Sequence, residues 1–508
     1  MVKKSENKVV VKKDINKSIT DFLNVEYLNY SLATVGDRAI PSICDGFKPG
    51  ARKIVHAMFE GSLKNGSTSK LLALVGDTMK ISLYAHGDAS LVGTTCTLAK
   101  AFYNFYNPLE IEGQGGYLRS PEAGAPRYLY IRKSKYADLV YKADYDLLKY
   151  VFEEGDYVEP EHYLPIVPTV LSNTTMGIAN GYSFHSNAWN PVDVLDCCLE
   201  ILKSKKGIEK FKTVVRPYLR DIPQDNWRLE SGQWYCYGEW KTNQAKDLMT
   251  ITNLPSDTTY VEFEKLLNRL CDKQEIKDYK DLSEDGNVHY EVQFFKGQLA
   301  KEIKSDRSGK RLANKFKLIK KLPDDLLWLL DENGKLKYFK DRYEVIRYFV
   351  NWRLTVYVER KKKLGKILEE KYKNNSELVK FIELVCKGKL KIRNRSKADI
   401  KPDMDAQKLP MALLATPMSK VTIEERDELL KQNEEMKEVY AKYGTSPTGG
   451  CVQMLIQMPI LFAMYQVIWK VPAYVKSVYE MYTALVNDVL ASAQMQTFLS
   501  DFATNARV

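Results

Sequence analysis

The segment Ala123-Gly-Ala-Pro-Arg-Tyr-Leu-Tyr130 sets an arginine, Arg127, directly before a tyrosine, Tyr128. A tyrosine phenol can attack a phosphodiester and hold one broken end as a phosphotyrosine ester. With a pKa of about 10 the phenol is a poor nucleophile at neutral pH. It needs a base or metal beside it, and a cation to hold the charge that develops on the phosphate. Arg127 suits the second role, because its planar fork grips two phosphate oxygens. The pair identifies nothing by itself. Tyrosine occurs 32 times in the chain, and Arg-Tyr beside a Tyr-x-Tyr alternation also describes the edge of a β-strand.

Four further motifs accompany it in order: Asp37-Arg-Ala-Ile-Pro-Ser42, Asp45-Gly-Phe-Lys-Pro-Gly-Ala-Arg-Lys53, Tyr84-Ala-His-Gly-Asp88 and Gly113-Gln-Gly-Gly116. Together with Pro126-Arg-Tyr128 they resemble the DNA breakage–reunion subunit of type IIA topoisomerases. The flavour is closer to the phage and eukaryotic enzymes than to bacterial gyrase. The resemblance covers about residues 1–430 and implies a function. Tyr128 would cut each strand of a duplex, one tyrosine per protomer of a homodimer, with Arg127 on the phosphate and His86 donating to it. Eukaryotic members often carry a second histidine just before this one; here that position is Ala85. Arg38, Lys48, Arg52 and Lys53 would lie along the DNA phosphates, with Gln114 also on DNA. Taken alone, each of these cations reads as a solvated side chain, and Ile178 between its glycines reads as a core residue. By the resemblance Ile178 instead wedges between base pairs and kinks the duplex.

The elements that must hold these residues follow from pattern. The chain has 508 residues, too many for one core, and a formal net charge of +11, which suits a polyanionic partner. Eight cysteines without a CxxC pair indicate neither a zinc site nor a disulfide framework, and fit a reducing cytosol. Residues 1–17 form a lysine-rich arm. Residues 18–191 read as a helical segment, a Pro/Gly turn over Ile40–Gly50, and an Arg52–Phe59 helix with Ile54, Val55 and Met58 inward. By the resemblance this is a winged-helix domain carrying the tyrosine. Residues 192–335 read as mixed α/β, with strands at Asp247–Thr252 and Val288–Phe294, and resemble the tower domain. A stripe of Val345, Phe349, Trp352 and Val356 marks a coiled-coil arm over 336–376. A globule follows over 377–420, then a returning helix over 421–435 that starts with the capping box Thr422-Ile-Glu-Glu425. The expected fold is therefore α+β and multidomain: winged-helix DNA gate, α/β tower, long antiparallel coiled coil with a small helical exit gate, and an apolar helical tail.

Two parts of such a machine have no counterpart in these residues. No nucleotide-binding loop occurs, and Asp403-Met-Asp405, read as part of a linker, is the nearest approach to a magnesium site. The resemblance implies that Mg²⁺ and ATP are held by a partner subunit with the ATPase and the metal-binding domain. Double-stranded DNA and a second copy of this chain are the other partners, and the location is cytoplasmic, with the nucleoid. Relaxation and decatenation are expected rather than supercoiling. A silent DNA-binding homologue is the alternative. Residues 436–508 change character. Tyr440-Ala-Lys-Tyr-Gly444, Pro447-Thr-Gly-Gly-Cys451 and Gln457-Met-Pro-Ile460 resemble the YidC/Oxa-type membrane insertases. Cys451–Trp469 carries no charge and is close to the length of a spanning helix. Membrane contact through residues 451–475 would follow if the tail is natural. Without the earlier helices of an insertase, two joined coding sequences explain it better than a membrane-tethered chimera.

Overall fold

The computed structural model describes residues 18–442, except 64–65, 205–209, 285, 307, 325–326 and 393, together with Glu480 and Thr483. The chain divides into two compact units, Met1–Arg360 and Lys361–Val508.

In the first unit, Ile19–Phe22, Leu23–Tyr27, Leu28–Thr34 and Val35–Ala39 run on as one helix, the second and fourth stretches with π-type turns. Most of its apolar side chains, among them Ile19, Phe22, Tyr30 and Leu32, are exposed. The Pro/Gly turn then delivers the chain to the helix Pro49–Glu60. Pro49 opens this helix, where its missing N–H costs nothing. Ile54, Val55 and Met58 point inward as expected and are fully buried. They pack with Leu71, Leu74 and Val75 of the helix Leu71–Ile81 and with Leu91 of the helix Asp88–Ala99. A three-stranded antiparallel sheet, Ser69–Lys70, Tyr130–Lys133 and Leu109–Glu112 in that spatial order, completes the layer. Ile131 stands opposite both Ser69 and Ile111 in this sheet. Three helices thus pack on a small antiparallel sheet in this part of the first unit.

The expected strands of the mixed region form as Leu248–Asn253 and Tyr290–Gln293, and they pair with each other, Met249 opposite Val292. Glu239–Asn243 and Asp278–Asp281 flank them in a four-stranded antiparallel sheet. The helix Tyr260–Asp272, begun by a Thr259/Glu262 capping box, buries Phe263 and Leu267 against that sheet.

The 45-residue helix Arg342–Cys386 carries the Val345, Phe349, Trp352, Val356 stripe, all buried, in the first unit and continues into the second. It is still helical where the globule was expected to begin. In the second unit the returning helix Ile423–Lys442 runs past residue 435. Its Tyr440 hydroxyl donates to the Gly365 carbonyl (3.1 Å), and its Asn433 amide donates to Ser376 Oγ (3.3 Å). Those two contacts set the helices antiparallel. A small core of Phe381, Ile382, Leu390, Ile400 and Met404 closes the tip. Asp403 and Asp405 lie in the helix Lys397–Ala406 and not in a linker. Asp403 is bound to Arg395 (2.6 Å). The insertase-like segment, beyond Lys442, falls outside the described residues apart from Glu480 and Thr483. Among the described residues no helix is long and apolar enough to cross a membrane.

Candidate active site

Tyr128 ends a single 3-10 turn, Pro126–Tyr128, that feeds directly into the strand Tyr130–Lys133. Proline fixes the start of the turn. The Tyr128 amide donates to the Ala125 carbonyl (3.0 Å), and the Leu71 amide donates to the Leu129 carbonyl (3.1 Å). Leu129 and Ile131 are buried in the core below. The backbone is therefore held on both sides of the residue while its side chain remains 71% exposed. A tyrosine that only closed a strand edge would bury part of its ring; this one presents its phenol to solvent. The Arg127 guanidinium, also exposed, lies 5.8 Å from the Tyr128 ring centre.

The preceding loop is tied down by its own backbone. The Gly124 amide donates to the Gln114 carbonyl (2.8 Å), and Tyr117 and Ser120 exchange two bonds of 3.0 Å. Gly116 has φ +84°, and a Cβ there would meet the Pro121 carbonyl oxygen at 2.8 Å, so only glycine fits. Gln114 is exposed beside the segment that leads to Tyr128.

One residue that sequence reasoning missed holds this loop to the segment 253–260 of the mixed α/β region. Arg119 is buried, 3% exposed. Its guanidinium donates to the carbonyls of Pro255 (2.6 Å), Thr258 (3.2 Å) and Leu254, and to Asn253 Oδ1 (2.9 Å). Its own carbonyl accepts from the Tyr260 amide (3.0 Å). Burial pulls its pKa down, and none of the four acceptors is a carboxylate. The available signal was an arginine within a glycine-rich loop, flanked by no acidic residue closer than Glu122.

The four cations expected to line the DNA fare differently. Arg38 is exposed near the end of the first helix, and Lys48, half-buried, precedes the helix Pro49–Glu60, its pKa lowered by burial. Arg52 is buried. Its Nε and Nη2 donate to Asp45 (2.9 and 3.2 Å), and Nη2 also to the Phe47 carbonyl. Burial opposes its charge, but Asp45 more than offsets that and raises its pKa. Arg52 is thus a core ion pair and not a phosphate ligand. Lys53 is engaged too, with Glu159 (2.7 Å) and the Ser82 carbonyl (3.0 Å). Both side chains face a cavity of 1210 Å³ that also takes His86 in its wall. His86 is exposed, its ring edge-on to Tyr84 at 5.4 Å. Arg127, Tyr128, Gln114 and Ile178 are not part of that wall.

Ile178 is no core residue. It ends the strand Thr175–Ile178, pairs with Ser183 across a hairpin and is 71% exposed. The hairpin leans on the end of the first helix so closely that a Cβ on Gly177 would meet the Ala39 carbonyl oxygen at 2.1 Å. The Asn180 amide donates to Ser31 Oγ of the same helix (2.9 Å). Packing of that kind holds an apolar side chain outward at a fixed point.

The profile of the DNA gyrase/topoisomerase IV family, for its A-type subunits, matches residues 38–455. The chain belongs to that family. The match spans every motif above from Arg38 onward and overlaps the start of the insertase-like tail. Among relatives of this gyrase/topoisomerase chain, the mitochondrial DNA topoisomerase 2 of Dictyostelium discoideum is 31% identical over 401 residues, 77% of this chain and 30% of that protein. DNA topoisomerase 2 of Saccharomyces cerevisiae is 30% identical over 397 residues, 76% of this chain and 27% of that one. The chain therefore spans less than a third of these relatives. A crystal structure of the Plasmodium falciparum topoisomerase II DNA-binding, cleavage and re-ligation domain superimposes with a TM-score of 0.71 at 25% identity, over 88% of this chain and 65% of that one. Among the described residues no group of three or more histidine, cysteine or acidic side chains converges to hold a metal ion.

Proposed function

We propose that this chain is the DNA-cleaving subunit of an ATP-dependent type II topoisomerase. The Tyr128 phenolic oxygen attacks a backbone phosphorus, and the bond from that phosphorus to the 3′ oxygen breaks. The 5′ end stays on the protein as a phosphotyrosine ester, and the freed 3′ oxygen takes up a proton. After a second duplex has passed, the 3′ hydroxyl attacks the ester and restores the strand. The bond energy is kept in the ester, so cutting and resealing need no hydrolysis. The observation that carries this reading is a tyrosine fixed by its backbone, with its phenol in solvent and a guanidinium beside it.

Arg127 holds the phosphate's charge in this scheme, and His86 donates to it. Arg38, Lys48 and Gln114 follow the duplex backbone, and Ile178 unstacks a base step. Two copies of the chain, joined at the helical tip of the second unit, cut the two strands. Mg²⁺ and ATP enter through a partner subunit; the metal, when bound there, supplies Lewis-acid stabilisation of the phosphate. Relaxation and decatenation in the cytoplasm are the outcome. The insertase-like tail adds no second activity in this reading, and protein that floats with vesicles only when residues 451–475 are present would assign it a membrane contact.

Tyr128→Phe tests the reading. Mixed with end-labelled duplex in the presence of its partner subunit, the unaltered chain should yield a covalent protein–DNA adduct. The variant should yield none while binding duplex within about threefold of the parent. Adduct formation by the variant would refute the assignment.

A further inference from the structure

A second cavity, of 400 Å³, opens on the sheet that the Tyr128 turn leads into. Its wall takes Gly115 and Gly116 from the loop that follows Gln114, and Arg132 from the strand that follows Tyr128. Three more cations complete it: Lys100, Lys135 and Arg220. Arg132 is already bound to Glu110 and Glu112 (2.8 and 3.3 Å). The other three make no ion pair among the described residues. Lys135 and Arg220 are exposed, and the Lys135 ammonium lies 5.2 Å from the Tyr136 ring centre. Lys100 is half-buried at the end of the helix Asp88–Ala99, and burial lowers its pKa. Glu110 is the only carboxylate in this wall, and Arg132 occupies it. The larger cavity beside His86 is opposite in character: its wall holds more carboxylates than cations, and Lys53 is bound to one of them.

We infer that the cavity bounded by Lys100, Lys135 and Arg220 is a phosphate-binding site for the duplex, flanking the point of cleavage. This rests on the reading of Tyr128 as the nucleophile. Tyr128 and Arg132 are four residues apart, so their Cα atoms are separated by at most about 14 Å. That is roughly the rise of four base pairs. A duplex with its scissile phosphate at Tyr128 and its axis along the strand that follows Tyr128 would bring backbone phosphates to the cavity wall at Arg132. The cations that sequence reasoning assigned to this task are partly consumed, Arg52 by Asp45 and Lys53 by Glu159. The second cavity supplies free charge in their place.

Counterion release gives the test. Each phosphate contact steepens the dependence of log affinity on log salt concentration by about 0.9. Binding of a duplex of about 34 base pairs to the full chain would be followed from about 50 to 300 mM KCl. Lys135→Gln/Arg220→Gln should flatten the slope by about 1.8, and adding Lys100→Gln should bring the change to about 2.7. The charge-conserving Lys135→Arg/Arg220→Lys should keep the parent slope. Inorganic phosphate, titrated into the same samples, separates a free-anion site from a backbone site. An unchanged slope in the double variant, with duplex binding otherwise intact, overturns the inference. So does a variant that loses inorganic phosphate binding while its DNA slope stays as in the parent. Expected slopes from a chain that forms no Tyr128 adduct even with its partner subunit and Mg²⁺ present would leave this site standing and sink the catalytic reading instead.

Discussion

Replacing Arg119 with methionine should loosen the loop that leads to Tyr128, the proposed nucleophile, without touching that residue. Methionine keeps much of the side-chain volume but removes all four donated hydrogen bonds. Asn253 Oδ1 retains the Leu254 amide as a donor, so its loss is small. The Leu254 and Pro255 carbonyls are left buried, at about 1–3 kcal/mol each. Relief from burying a guanidinium, the effect that depresses the Arg119 pKa, offsets part of this. The balance is a local destabilisation of about 2–4 kcal/mol, which accelerates amide exchange from locally open states by roughly 30- to 1000-fold. That acceleration should be confined to the amides of Tyr117, Ser120, Gly124 and Tyr260, whose partners lie on the clamped segments. The Leu71 amide, bonded to the Leu129 carbonyl on the core side, should exchange as in the parent. Because a displacement of about 1 Å at a reacting group can cost a hundredfold in rate, adduct yield at saturating DNA should fall at least tenfold. Hydrogen exchange read by mass spectrometry decides the matter. Parent-like protection of Tyr117 and Ser120 would refute the clamp, and equal loss of protection across the Pro49–Glu60 helix would reduce Arg119 to a general stabiliser.

Asp45 is fully buried and accepts from Arg52 twice, from the Phe47 amide and from the Tyr163 amide. Asp45→Asn leaves the Arg52 charge buried without a counter-charge and should cost about 3–5 kcal/mol in denaturant unfolding, less when combined with Arg52→Met; a loss under about 1 kcal/mol would contradict a core ion pair. His162 sits edge-on to Trp352 with ring centres 5.7 Å apart, and burial lowers its pKa, as it does for His56 and His185. Folding therefore favours the neutral rings. The stability this gives is complete above the unfolded value of about 6.5 and is lost as pH falls through the lower folded values. The melting temperature should drop between about pH 7 and pH 5, and His162→Gln should remove part of that drop; an unaltered pH profile in the variant would count against a buried neutral His162.

Much of this protein was legible in the order of its residues. A capping box marked the start of the Ile423–Lys442 helix, because that signal acts within a few positions of itself, whereas the Pro49–Glu60 helix was expected only from Arg52, its first turn reading as part of the Pro/Gly turn. The inward face of Ile54, Val55 and Met58 followed from helical spacing, and the paired strands near Met249 and Val292 from their apolar, β-branched runs. The Arg127–Tyr128 pair stood out only with the four motifs that accompany it, and the structure adds that its tyrosine is exposed on a fixed backbone. What a charged side chain is free to do was not legible. Lys53 is engaged by Glu159, 106 positions away, and Arg119 by carbonyls more than 130 positions away. Lys100, Lys135 and Arg220 come together from three separate elements. Ile178, a core residue by its type alone and an outward wedge by the resemblance, is exposed beside the close approach of Gly177 to Ala39. Local spacing fixes an element and the face it buries. Whether a cation meets a carboxylate, a carbonyl or open solvent depends on segments that only the folded chain brings within a few ångströms.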